Sequence, residues 1–198
     1  MTVTDAATPP DVPAEDVERI PGEPDMWVFV LFESLVFASY FCVYLYFRTQ
    51  NEASFLEAQS ALHLPLGVLD TILLLTSSWA MARCALHARA GEHRAAQQFA
   101  YLTAGFGAAF LTLKVVEWVS LIDEGHTFTS SEFMQHFFFL TGMHAVHLLI
   151  GFVVLGVLVR QVSDPHRRSL TTIETCTTYW HTVDLYWVII FALLYVVR

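Results

Sequence analysis

Residues 137–151 read FFFLTGMHAVHLLIG. His144 and His147 stand three positions apart in a run that otherwise has the composition of a lipid-facing helix. Water is scarce in such a setting, so an imidazole there must bind a metal, carry protons, or hold helices together through hydrogen bonds. The run is long and shows no period-two alternation, which argues against a strand. It sets the fold class as all-α and membrane-spanning.

Working outward, four more segments of the same kind appear. A bilayer core takes about 20 apolar residues per helix. The five spans are expected at about 26–47, 65–87, 96–121, 132–159 and 173–197. Together they make a polytopic membrane domain over 26–198, a five-transmembrane-helix bundle. Pro65 suits a first helical turn, and SDPHRR (163–168) breaks the chain before the last span. Of 198 residues, 55% are hydrophobic and only 15% are charged, and the mean hydropathy is +0.50, which excludes an ordinary soluble domain.

Residues 1–25 are acidic, Pro-rich and poor in large apolar groups. They read as a disordered cytoplasmic tail and lack the basic start of a signal peptide. The net charge of −9 and the absence of a basic patch exclude a nucleic-acid partner. Cys42, Cys84 and Cys176 lie far apart, without zinc spacing, and read as small buried hydrophobes. Cytoplasmic loops are enriched in Lys and Arg. Arg19, Arg83, Arg89, Arg94, Arg160, Arg167 and Arg168 fall on one side, against Arg48 and Arg198 on the other. The N-terminus is therefore expected in the cytoplasm and the C-terminus outside.

Ionisable groups inside a span are costly and are functional candidates by default. Here they are Glu33, Asp70, Lys114, Glu117, His136, His144, His147, His181 and Asp184. At a rise of about 1.5 Å per residue, Glu33 and His181 fall about 10–12 Å from the cytoplasmic face. Asp70, Lys114, Glu117 and His136 fall about 6–10 Å from the outer face. His144, His147 and Asp184 occupy the middle third. Lys114 and Glu117 are neighbours on one helix face and are expected to pair, with His136 able to join them. His181 and Asp184 stand at i and i+3, where a carboxylate can orient an imidazole. Glu33 sits among large apolar groups, a setting that favours a neutral acid able to donate a hydrogen bond or pass a proton, with His181 available at its depth. Trp180, Asp184 and Trp187 form a packing stripe, and small residues such as Gly107 and Gly151 allow close approach.

A metal site is the competing reading of the histidines. Membrane di-iron hydroxylases need about eight histidines near one face. This chain has nine in all, scattered over both sides. A smaller set of His144, His147, Glu117 and His181 is chemically allowed. The depth estimate places Glu117 and His181 near opposite faces, so no metal ligands are assigned.

Several segments, in order, then resemble subunit III of the haem–copper oxidases (the cytochrome c oxidase subunit III family) in its short five-helix form. They are FESLVFASYF (32–41), LPLGVLDTILLLTSS (64–78), LKVVEW (113–118), TSSEFMQHFFFLTGMHAVHLLIG (129–151) and YWHTVDLYWVIIFALLYVV (179–197). The TGxHxxHxxIG and WHxxDxxW strings are specific when found together. The resemblance implies a non-catalytic subunit of a plasma-membrane terminal oxidase complex that reduces oxygen and pumps protons. It implies a place beside subunits I and II, bound phospholipid, and support of proton uptake and complex stability. It also implies no cofactor in this chain, the haem and copper belonging to the partner catalytic subunit. Glu33 matches the family's carbodiimide-reactive glutamate. His144, His147, His181, Glu117 and Asp184 match positions that look structural or lipid-adjacent there, none of them catalytic. The missing first two helices remove much of the family's lipid cleft. Asp70 stands where an uncharged polar residue is expected. WHTVDLYWVIIFALLYVVR and TSSEF are also similar to the subunit-III-like proteins that accompany nitric oxide reductases. The alternatives are thus an accessory protein of such a reductase or other membrane oxidoreductase, and a histidine-ligated membrane metalloenzyme.

Overall fold

A computed structural model describes residues 22–164 and 169–197. The expectation of a disordered tail, for residues 1–21, lies outside the described residues, as do Arg19, Arg167, Arg168 and Arg198. The described residues form six α-helices: α1 (Pro24–Gln50), α2 (Glu52–Gln59), α3 (Leu64–Arg89), α4 (His93–Asp123), α5 (Glu132–Ser163) and α6 (Leu170–Phe191). A π-helical turn, Ala192–Val196, continues α6. Five of these helical segments are long and apolar enough to cross a membrane. The protein is a multi-pass membrane protein with an all-α bundle.

The helix ends follow from local chemistry. Pro24 opens α1 and Pro65 lies in the first turn of α3, where a missing N–H costs nothing. Ser131 Oγ accepts from Met134 N at 3.1 Å and caps α5, and Ser169 Oγ caps α6 through Thr172 N. Gly91 and Gly125 take φ of 82° and 90° just beyond α3 and α4. There Glu92 N reaches His87 O and His126 N reaches Leu121 O, so a left-handed residue closes each helix. Gly22 and Glu23 belonged to the expected tail. Instead, Gly22 N donates to Glu174 Oε2 at 3.1 Å and Glu23 N to Thr175 Oγ1 at 3.0 Å, which seats the start of α1 on α6.

α6 runs through the centre, against α1, α3 and α5. α3 and α4 form a tight hairpin, and α1 lies at the edge with much of its apolar surface uncovered. The stripe of Trp180, Asp184 and Trp187 is buried, as its spacing suggests. Trp180 packs where Gly107 and Gly151 leave room. Hydrogen bonds that water would outcompete at a surface join helices here. Trp180 Nε1 donates to Ser77 Oγ, Ser77 Oγ to Thr103 O, Trp118 Nε1 to Thr141 Oγ1, and Tyr179 OH to His147 O.

Two features depart from the sequence reading. α2, a short surface helix, was not expected. Its Gln59 Nε2 donates to Leu194 O and Val197 O at 2.9 and 3.0 Å, and Tyr44 OH donates to Leu193 O. These side chains satisfy carbonyls that the π turn leaves without regular partners. Cys42 lies on the outer surface of the bundle, whereas Cys84 and Cys176 are buried as expected.

Candidate functional site

The polar groups of the spans gather into three separate places. The first joins α1 to α5. Glu33 Oε2 lies 3.0 Å from His147 Nε2, with side chains 17% and 11% exposed. His147 Nδ1 lies 2.8 Å from Met143 O. A carbonyl only accepts, so Nδ1 carries a hydrogen. In neutral His147 the second nitrogen, Nε2, is then an acceptor, and a neutral Glu33 is its donor. A proton transfer along the same line gives imidazolium and carboxylate. Either way one proton bridges the two helices. The ring of Phe37 stands edge-on to His147 at 5.2 Å. Beside the pair, Tyr40, Phe139, Leu140 and Met143 line a pocket of only about 10 Å³. That leaves room for about one water.

His181 was expected as the partner of Glu33. The structure corrects this. His181 Nδ1 bonds Ser78 Oγ at 2.7 Å on α3. The depth estimate failed because α5 runs on to Ser163 and overruns the start of α1, so depths counted from its C-terminal end are too great. The opposite ends give the right register: Asn51 Nδ2 donates to Glu132 Oε2 and ties the end of α1 to the start of α5. From those ends Glu33 and His147 lie about 25 and about 22 Å deep.

The second place is between α3, α4 and the π turn. Lys114 Nζ lies 2.9 Å from Asp70 Oδ2 and 2.6 Å from Glu117 Oε2. It also donates to Tyr195 OH at 3.1 Å, and Tyr195 OH donates to Glu117 at 2.8 and 2.9 Å. Lys114 and Asp70 are fully buried, and Glu117 is 2% exposed. The ring of Trp187 sits 4.5 Å from Lys114 Nζ, and its Nε1 donates to Thr71 Oγ1. Sequence reasoning placed Asp70, Lys114 and Glu117 at one depth but did not single out Tyr195. His136 does not join this cluster. It points toward α1 and α2, among the rings of Tyr44, Phe47 and Phe55, because its position on α5 faces away from α4.

The third place is the interior around α6. His144 was expected to hydrogen-bond between helices, yet neither ring nitrogen has a partner. It is held by packing instead, with its ring 5.5 Å from Phe110 and 5.2 Å from Trp187. Asp184 was expected beside His181. Among the described residues no hydrogen bond joins them. The hydroxyl of Ser78 is the polar neighbour of Asp184, but neither Asp184 oxygen is in a well-directed bond. Among the described residues no group of three or more His, Cys, Asp and Glu side chains is placed to hold a metal ion.

The sequence pattern of cytochrome c oxidase subunit III matches residues 23–197. The chain belongs to the cytochrome c oxidase subunit III family. Among its relatives in that family is cytochrome c oxidase subunit 3 of Bacillus sp. strain PS3, 30% identical over 85% of this chain and 82% of that protein. Another is cytochrome c oxidase subunit 3 of a Synechocystis species, 33% identical over 88% of this chain and 77% of that protein. A heme-copper oxidase subunit I+III of Aeropyrum pernix is 27% identical over 87% of this chain, which corresponds to 22% of that longer protein. Family membership therefore covers all five spans, including both charged clusters.

Proposed function

We propose that this chain is the non-catalytic subunit III of a terminal oxidase complex. It packs against subunit I, contacts subunit II and phospholipid, and supports proton uptake and the lifetime of the enzyme. Haem and copper belong to the partner catalytic subunit, where oxygen is reduced and protons are pumped. The assembly sits in the plasma membrane with the N-terminus of this chain cytoplasmic and the C-terminus outside. Family membership supports the oxidase setting. The Aeropyrum protein, named as subunits I and III in one chain, supports subunit I as the neighbour.

The observation that carries the proton-related part is the Glu33–His147 pair. The pair lies on a partly exposed seam between α1 and α5, which supports a shared proton within reach of a neighbouring subunit or a lipid. Release of that proton leaves Glu33 as a carboxylate beside a neutral His147, so the pair gives it up where a neighbouring group or water offsets the negative charge.

Purification of the tagged chain from its native membrane in mild detergent tests the reading. The expected result is co-purification of a large partner with haem absorption and bound copper. A partner with non-haem iron would replace the oxidase with a nitric oxide reductase. A solitary chain with stoichiometric bound metal and turnover of its own would overturn the proposal.

A further inference from the structure

The cluster on α3, α4 and the π turn has an unbalanced charge. Two carboxyl groups, Asp70 and Glu117, face one ammonium, Lys114, and all three are shut away from the surface. With every group ionised, one negative charge stays uncompensated in the membrane interior, where charged groups are strongly disfavoured.

The two carboxyl groups are not equally served. Glu117 receives Lys114 on Oε2 and the Tyr195 hydroxyl on both oxygens. That is the environment of an ionised carboxylate. Asp70 has only the Lys114 ammonium beside it, 2.9 Å from Oδ2, and neither of its oxygens is in a well-directed hydrogen bond. An orphan oxygen costs less on a neutral acid than on an anion.

Among the described residues, no second positive charge faces Asp70. The titratable groups that face Asp70 across its neighbouring elements are Lys114 and Glu117 from α4 and Tyr195 from the π turn. His144 from α5 touches the same Phe110 and Trp187 rings that flank Lys114, with no acceptor on either nitrogen to hold an extra proton. His63 shares a small pocket with Glu117 at the end of the bundle.

We infer that this cluster is a proton-binding site: one proton resides on Asp70 Oδ1, making Asp70 a buried carboxylic acid and the cluster electrically neutral. The proton comes from water at the end of the bundle that carries α2. There Tyr195 forms one wall of a pocket of about 280 Å³, with Leu56, Gln59 and Ser60, and Glu117 borders the smaller pocket with His63. A hydronium ion gives its proton to Asp70, an O–H bond forms, and a water molecule is left.

Infrared spectroscopy of the purified native complex tests this. The spectrum of the wild type minus that of Asp70→Asn is expected to contain a carboxylic-acid C=O stretch that shifts in heavy water. Glu33 contributes equally to both spectra and cancels. Loss of carboxylate bands in place of the acid band would overturn the inference. Glu117→Gln provides a second arm should Asp70→Asn fail to assemble. With Glu117 neutralised, Asp70 alone balances Lys114 and ionises, so its acid band disappears although the residue is present. Persistence of that band in Glu117→Gln would equally overturn the inference.

Discussion

Gly67 and Tyr195 occupy complementary space: a Cβ on Gly67 would lie 2.7 Å from the Tyr195 ring. The missing side chain on α3 is what lets the tyrosine from the π turn reach Lys114 and Glu117. Gly67→Ala is expected to displace the ring, break its hydrogen bonds to the cluster and destabilise the protein by about 1–3 kcal/mol. Thermal unfolding in detergent measures this. An unchanged midpoint would show that the ring is not held against α3.

Glu33 offers a separation of structure from proton chemistry. Glu33→Gln keeps a donor to His147 Nε2, so the complex is expected to assemble normally. Its turnover lifetime should fall, because an amide cannot release the proton. Glu33→Ala leaves the His147 nitrogen without its partner and is expected to cost about 1–3 kcal/mol as well. Oxygen consumption followed until inactivation, beside a melting curve, distinguishes the two effects. Equal lifetimes for wild type and Glu33→Gln would reduce the pair to a helix tie.

His144 contributes volume and no hydrogen bonds. His144→Leu is expected to change stability by less than about 1.5 kcal/mol, since it removes two orphan polar atoms and keeps the site filled. His144→Ala opens a cavity beside Phe110 and Trp187 and should cost about 2–5 kcal/mol. Similar losses for both variants would mean that the ring nitrogens have a partner after all.

Gln59 clamps the π turn from α2. Gln59→Ala removes the donor to Leu194 O and Val197 O and is expected to destabilise that end by about 1–3 kcal/mol. Amide exchange over 192–197 should quicken while exchange in α3 and α4 stays slow. Uniform exchange across the bundle would contradict a local clamp.

The spans were legible in the sequence because length and hydropathy decide them and little competes inside a membrane. The grouping of Asp70, Lys114 and Glu117 was legible through depth and i,i+3 spacing. Depth along a helix is one coordinate, however, and rotation about the axis is the other. His136 shares the depth of Lys114 and faces the other way, toward Phe55 and Tyr44. Glu33 found His147 because the C-terminal end of α5 overruns the start of α1, which hydropathy alone does not mark. α2 escaped notice because eight residues of mixed character carry too little periodicity to register. Tyr195 escaped because the π turn shifts its direction, a backbone event with no sequence signature.

The π turn has one more consequence, for how the protein is made. Tyr195 follows Lys114 by 81 positions. As the chain enters the bilayer, the α3–α4 hairpin brings Asp70 to Lys114 early, and Glu117 on the same helix gives the ammonium its counterion from the start. Glu117 waits for its hydroxyl donor until α6 has been threaded between its neighbours. Final closure of the bundle and completion of its most costly polar contact are thus a single late step in biogenesis.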